Sequence, residues 1–239
     1  GGPPCQDFSH AGKRSEGNRA DLTVAFAHII DEVRSRWFVF ENVDRARNSQ
    51  AYCAARMILK EAGYGLTEQV LDASLCGVPQ KRRRFFCIGC LGQQDGFADQ
   101  VISRNLASKP LTVREYMGNE IDVECYYRHP RNYNRRGIFS IDEPSPTVRG
   151  VNRPVPGGYP GHPGDAAPVN SVVRALSTFE RARIQTFPRD YRWIGSKTDI
   201  EQMVGDAVPV KLGEFVARIV LECSNHTSAE RKTSKEATL

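Results

Sequence analysis

Three places along the chain carry residue types that could do chemistry. Cys5 follows Pro3-Pro4 and precedes Gln6-Asp7-Phe8-Ser9. Two prolines fix the approach of the chain and cannot continue a strand ladder, so Cys5 is expected on a stiff turn at a strand end. A thiol there is either a nucleophile or a buried structural cysteine, the usual fate of a lone one. Glu41 comes directly after Trp37-Phe38-Val39-Phe40. A carboxylate at the carboxyl end of a strand stands where open α/β sheets bind ligands. Partial desolvation there would raise its pKa and let it donate a proton near neutrality. The alternative is an ordinary loop carboxylate that caps the next element. The third place is Gln80-Lys81-Arg82-Arg83-Arg84, leading into Phe85-Phe86-Cys87-Ile88. Alternation from Arg82 puts Arg82 and Arg84 on one side of a strand and Lys81 and Arg83 on the other. The plainer reading is a solvated basic patch. Cys87-Ile88-Gly89-Cys90 has half the spacing of a zinc site, but no second Cys or His pair stands at ligand spacing, so no metal is expected.

These residues need elements to hold them. From Asn18 to Arg36 the apolar positions Leu22, Ala25, Phe26, Ile29, Ile30 and Val33 recur at helical spacing. Trp37–Phe40 reads as a short buried strand. A second helix is expected from about Gln50 to Ala62, ended by Gly63, with strands near Leu66–Leu71 and Arg84–Ile88. Strands alternating with helices indicate a doubly wound α/β sheet. After about Leu91 the style changes. Tyr126–Arg153 holds six arginines against two acidic residues, +4 of the chain's +5, together with Tyr126, Tyr127, Tyr133 and Phe139. Proline and glycine are frequent up to Pro168, which disfavours long helices there. Helical pattern resumes at Ser177–Gln185 and Val210–Leu221, and Ser224–Leu239 reads as a polar, loose tail.

Composition narrows the class. The chain has 239 residues, enough for a real core, with 40% hydrophobic and 26% charged residues, which excludes disorder throughout. A net charge of +5 permits a polyanionic partner without requiring one. No apolar run approaches the ~18 residues of a membrane span, and the first residues have neither the basic nor the apolar region of a signal peptide. Seven scattered cysteines are an odd set, not a disulfide framework, and favour a reducing cytosol.

In combination these motifs are recognisable. Gly2-Pro3-Pro4-Cys5-Gln6-Asp7-Phe8-Ser9, Glu41-Asn42-Val43 and Gln80-Lys81-Arg82-Arg83-Arg84 stand in the order and spacing of the C5-cytosine DNA methyltransferases. Asp142-Glu143-Pro144-Ser145-Pro146-Thr147-Val148-Arg149-Gly150, then Arg174 through Pro188, then Gly205-Asp206-Ala207-Val208-Pro209 resemble that family's later motifs. The resemblance runs from residue 1 to about 221. It implies an α/β fold: a doubly wound, Rossmann-like methyltransferase sheet with a small irregular target-recognition domain. It also implies S-adenosyl-L-methionine as methyl donor and double-stranded DNA as partner. Cys5 would be the nucleophile that adds to C6 of cytosine, and Glu41 would protonate or hydrogen-bond N3. Arg84 would hold the base O2, and Arg82 would support the loop and backbone phosphates. Pro3, Asp206 and Ala207 would touch the cofactor. Because C6 is hidden in a stacked duplex, the base must be flipped out, with Asp7–Asn18 closing over it. Gln80, Arg128, Arg131, Arg135, Arg136 and Arg149 are the expected nucleic-acid contacts, a mixture of base readers and phosphate contacts.

The expected division is residues 1–90 for the catalytic part, 91–173 for target recognition, 174–223 for a helical segment returning to the catalytic part, and 224–239 for a flexible tail. The family's Phe-x-Gly-x-Gly-Gly loop and the acidic residue of its second strand have no match, and Gly205-Asp206 departs from the usual Gly-Asn. The sheet is therefore expected to be incomplete at its N-terminal strands, as a fragment or as one subunit of a split enzyme whose partner chain supplies them. Alone, the chain is expected to be inactive. An RNA cytosine methyltransferase and an idle DNA-binding homologue are the rival readings. A cytoplasmic, bacterial, nucleoid-associated modification enzyme is the favoured one.

Overall fold

The computed structural model describes residues 1–4, 21–169 and 173–236. Cys5 and the Asp7–Asn18 segment therefore lie outside the described residues. The chain divides into two compact units, each built from several segments. The first comprises Gly1–Asp72, Arg83–Leu106 and Val216–Leu239, and the second Ala73–Arg82 and Ala107–Phe215. Composition alone puts boundaries at 91 and 174. The structure instead keeps residues 91–106 with the first unit and residues 174–215 with the second.

In the first unit, α1 (Asp21–Val33) leads to β1 (Trp37–Val43), α2 (Gln50–Glu61) and β2 (Tyr64–Asp72). β4 (Arg83–Leu91) pairs antiparallel with both β1 and β2, giving the order β1-β4-β2. β1 and β2 thus run in the same direction, joined by the α2 crossover. Ser49 caps α2 by accepting from Tyr52 N at 3.0 Å, and Gly63 takes φ +86° just past its end, as expected of the residue that stops it. Along β1 every second side chain is buried. Phe38 and Phe40 pack with Ala27 of α1, with Tyr52, Ala55 and Leu59 of α2, and with Tyr64, Leu66, Phe85 and Cys87 of the other strands. The rings meet edge-on or tilted, Tyr52 and Phe85 at 4.8 Å and Phe40 and Tyr52 at 5.5 Å between centroids. Each aromatic ring buried in this way contributes about 1.5–3 kcal/mol. Glu41 and its even-spaced neighbours are left on the opposite, half-buried face. After β4 comes the short α3 (Asp99–Asn105).

The second unit is assembled from short pieces. β3 (Gln80–Lys81) runs parallel to β7 (Ser145–Pro146). β5 (Cys125–Tyr127) lies between β6 (Ile138–Ser140), antiparallel to it, and β8 (Arg174–Ala175), parallel to it. The helices α4 (Val113–Met117), α5 (Thr178–Ile184) and α6 (Lys197–Asp206) each open on a capping box, Thr112 with Glu115, Ser177 with Glu180 and Ser196 with Asp199. Val113, Met117, Tyr126, Phe139, Ile141, Val148, Leu176, Ile184 and Val204 form its core.

The last helix, α7, runs Val210–Glu236. That corrects the expected loose tail from Ser224: the backbone stays helical to Glu236. After Gly213 the sequence holds no glycine or proline, and Ala229-Glu230-Arg231-Lys232 are good helix formers, so nothing local ends the helix. α6 is a further departure, because its weak apolar pattern and internal Gly205 hid it in the sequence. Among the described residues no cluster of metal-ligating side chains occurs, and the six described cysteines form no disulfide.

Candidate active site and nucleic-acid interface

In the first unit the register pairs Val43 with Arg84 and Glu41 with Phe86. Arg84 is thus one diagonal step from Glu41 on the same face of the sheet. Its Nε lies 3.1 Å from Glu41 Oε1, with both side chains largely covered, at 16% and 21% exposure. Nη1 of Arg84 donates to Arg83 O at 2.9 Å. Arg83, on the other side as alternation requires, is exposed and pairs with Asp44 at 3.0 Å. The neighbour of Glu41, Asn42, is 2% exposed and points the opposite way. Its Nδ2 donates to Pro3 O at 3.1 Å, and its Oδ1 accepts from Val43 N at 2.8 Å. Glu41 N donates to Gly1 O at 2.9 Å. The Gly-Gly-Pro segment that leads to Cys5 is therefore tied by its backbone to the Glu41-Asn42 pair. Cys5 itself lies outside the described residues. Pro3, expected at the cofactor, is half-buried here.

The basic run does not continue as one strand. β3 ends at Lys81 and β4 begins at Arg83, so Arg82 occupies the break. Its side chain is 2% exposed. Nη1 donates to Val148 O at 3.0 Å and Nη2 to Gly205 O at 2.9 Å. The expectation that Arg82 supports backbone phosphates is corrected to this: a buried cation whose two terminal nitrogens donate to carbonyls braces two later segments of its own unit. Gln80, expected among the DNA contacts, is 0% exposed. Its Oε1 accepts from Val148 N at 2.9 Å and its Nε2 donates to Gln185 Oε1 at 2.8 Å. Gln185 Nε2 donates in turn to Val204 O and to Ala207 O. With both ends of the amide used inside the protein, Gln80 has nothing to offer a nucleic acid.

This pair of glutamines fixes the orientation of both amides and ties four sequence motifs together. Sequence reasoning quoted Gln185 within its motif without giving it a role, and the signal was there: an amide ending an otherwise apolar-patterned helix. Gly205 belongs to the same arrangement. A Cβ there would stand 2.0 Å from Gly150 N, so only glycine permits the approach. Of the expected cofactor contacts in this unit, Asp206 is exposed and its Oδ2 accepts from Gln202 Nε2 at 2.7 Å, while Ala207 is half-buried.

The arginines of the 126–153 segment separate into three kinds. Arg136 faces the Glu143 carboxylate with both terminal nitrogens and lies over the Phe139 ring at 4.3 Å, so it is occupied within the fold. Arg131 and Arg135 are exposed and have no ion pair among the described residues. Arg128 and Arg149 line a cavity open to solvent, together with Arg181 and the apolar side chains of Pro146, Val148, Val151 and Leu176. Arg128 Nη2 donates to Thr147 O at 2.8 Å, and Arg149 donates to His129 O. Arg181 donates to Arg149 O and pairs with Glu201. Burial, with Arg149, Arg131 and Arg181 adding repulsion, pushes the Arg128 guanidinium down to about 10. Burial and Arg149 do the same to Arg181, also to about 10. His129 is lowered as well, by burial and then by Arg153 and Arg149, so its imidazole is neutral at pH 7.

A family model for the C-5 cytosine-specific DNA methylases matches residues 1–222. The type II methyltransferase M.HindV of Haemophilus influenzae is 55% identical over 223 residues, 92% of this chain and 73% of that protein. M.HgiDI of Herpetosiphon aurantiacus, also a type II methyltransferase, is 54% identical over 220 residues, 91% of this chain and 70% of that one. Among solved structures, a putative DNA modification methyltransferase encoded within an Escherichia coli prophage superposes with a TM-score of 0.63 at 18% identity, over 94% of this chain and 78% of its own. The Dnmt2 methyltransferase of S. pombe superposes with a TM-score of 0.62 at 17% identity, over 94% and 77%. At such identities these two speak for the fold, the Rossmann-like α/β arrangement expected from the motifs. With a family match over nearly its whole length and two relatives more than half identical, the chain belongs to the C-5 cytosine-specific DNA methylases.

Proposed function

We propose that this DNA methyltransferase moves a methyl group from S-adenosylmethionine to C5 of a flipped-out cytosine in a specific duplex sequence, through a covalent adduct on Cys5. Carbon 5 of cytosine is too weak a nucleophile to take the methyl directly. Addition of the Cys5 thiolate at C6 breaks the C5=C6 bond and places the electron pair on C5. Glu41 supplies a proton or a strong hydrogen bond at N3 and so stabilises the adduct. Arg84, already against Glu41, holds that carboxylate in place and presents its remaining donors to the base O2. When bound, S-adenosylmethionine provides an electrophilic methyl group for C5. Loss of the C5 proton then re-forms the double bond and expels the Cys5 thiolate. The exposed Asp206 carboxylate, with one oxygen on Gln202, suits a hydroxyl donor such as a ribose, with Ala207 beside it. The observation that carries the reading is the Glu41–Arg84 contact beside the backbone of the segment leading to Cys5.

The names of M.HindV and M.HgiDI support a further step: the protein is the modification half of a type II restriction-modification system, working in a bacterial cytoplasm on the nucleoid. Among the described residues no helix is long and apolar enough to cross a membrane. The test of the reaction is a duplex with 5-fluorocytosine at the target position, offered to the full-length protein with the methyl donor. Fluorine cannot leave as a proton, so the enzyme is trapped after transfer as a covalent complex. Cys5→Ser abolishes trapping. A Cys5→Ser protein that trapped as well as the wild type would remove Cys5 from the reaction.

A further inference from the structure

The cavity lined by Arg128, Arg149 and Arg181 holds three guanidinium groups and no carboxylate among its lining residues. Arg181 is balanced by Glu201. Arg128 and Arg149 have no acidic partner among the described residues, and Arg128 Nε is buried without a hydrogen-bond partner. Like charges gathered against apolar walls repel each other and are costly to desolvate unless something compensates them. Among the other polar groups of the lining, Asn152 Nδ2 donates to Leu176 O, Ser145 Oγ to Pro146 O, and Tyr127 Oη meets His129 Nδ1 at 3.0 Å, while Tyr126 Oη is buried without a hydrogen-bond partner. What remains to be satisfied is the Tyr126 hydroxyl and the guanidinium donors. Each guanidinium is also oriented in advance, by Thr147 O for Arg128 and by His129 O for Arg149.

We infer that Arg128 and Arg149 form a seat for a single backbone phosphodiester of the DNA substrate. The inference rests on the proposed action on duplex DNA and adds to it which arginines hold the backbone and which are left to read bases. A phosphate oxygen pair satisfies the spare donors and cancels the charge that burial and mutual repulsion oppose. It also divides the segment's labour. Anchored arginines in a cavity position the duplex and carry no sequence information, whereas the exposed Arg131 and Arg135 are free to reach base edges.

The test uses the full-length protein and fluorescence-anisotropy titrations over a range of salt concentrations, with Arg128→Gln and Arg149→Gln beside the wild type. Each variant is expected to flatten the slope of log affinity against log salt by up to about 0.9 per lost contact. It is also expected to weaken a duplex with the target sequence and one without it by the same factor. Arg149→Lys, which keeps the charge, should recover most of the slope and shows that the loss is not misfolding. A scan with one neutral methylphosphonate linkage at a time should find one position that weakens the wild type and leaves Arg149→Gln unaffected. An unchanged salt slope overturns the seat, and a loss confined to the target duplex makes these arginines base readers instead. A separate arm adds inorganic phosphate at matched ionic strength. If it competes in the wild type while the methylphosphonate scan is silent, the cavity holds free phosphate and the backbone assignment is wrong. Methylation of the target duplex by the wild type is measured in parallel. Its absence would count against the proposed reaction, not against the seat.

Discussion

Arg84 Nε and Glu41 Oε1 meet at 3.1 Å across the β1–β4 pair, diagonally, on the face of the sheet opposite Phe38 and Phe40. An ion pair covered on most sides holds its carboxylate in one rotamer, which is what a proton donor to a ring nitrogen needs. Glu41→Gln keeps the shape and loses the acid. It is expected to bind duplex DNA normally while slowing single-turnover methyl transfer by roughly 10²–10⁴-fold, the range for a positioned general acid. An unchanged single-turnover rate would place the acid elsewhere.

Gly205 offers a test of packing at the last motif. Its missing Cβ would lie 2.0 Å from Gly150 N, and backbone cannot step aside as a side chain can. Gly205→Ala should cost about 1–3 kcal/mol by overpacking. For a protein of this size that lowers the melting temperature by roughly 2–4 °C per kcal/mol. Thermal denaturation reads this directly, and a melting point equal to wild type would mean the close approach relaxes without cost.

The buried amides of Gln80 and Gln185 should act as a unit. Gln185→Leu leaves the carbonyls of Val204 and Ala207 and the Gln80 amide without their partner, at about 1–3 kcal/mol for each buried polar group stranded. Gln80→Leu strands Val148 N as well. The double substitution is expected to cost less than the two single ones added together, with a coupling of about 0.5–3 kcal/mol from denaturant titration. Strict additivity would contradict the shared network.

Thiol reactivity separates the cysteines. Burial, more than any other influence, pushes the Cys87 thiol up to about 12, whereas Cys53 is exposed. In a Cys5→Ser background, Cys53 is expected to take up a maleimide in the native state, and Cys87 only after denaturation, even at alkaline pH. Peptide mapping of the labelled protein locates the modified positions. Native labelling of Cys87 would show that the sheet opens on the time scale of the reaction.

Much of the first unit could be read locally. The short apolar strand from Trp37 and the helix from Gln50 with glycine after it are patterns carried within a dozen neighbours, whereas Glu41, expected just past that strand, lies within β1 opposite Phe86. The fates of Gln80 and Arg82 could not be read that way. A run of charges and amides looks solvated until its partners are known, and those of Arg82 stand 66 and 123 residues further along the chain. The same holds for Arg136, whose neighbour Glu143 turns a presumed DNA contact into an internal pair. Nor could alternation tell that β4, last of its three strands in sequence, would be inserted between the other two. Arg131 and Arg135 kept the exposed positions their composition suggested. The role of Cys5 still rests on its motif and on the backbone tie between its leading segment and Glu41.

The central position of β4 bears on how the protein is made. Among the described strands, β2 has no ladder partner other than β4, and β1 forms no ladder with β2. A ribosome releases β1, α2 and β2 before β4 exists. Through that interval Leu66 and the rings of Phe38, Phe40 and Tyr64 lack the strand that will join them. At about 5–20 residues per second the wait is on the order of seconds, long enough for sticky strands to find wrong neighbours. The sheet closes only when the arginine run has been synthesised. The nascent chain is therefore expected to depend on holdase chaperones until Leu91 has cleared the exit tunnel, and to aggregate when released from a stalled ribosome before that point.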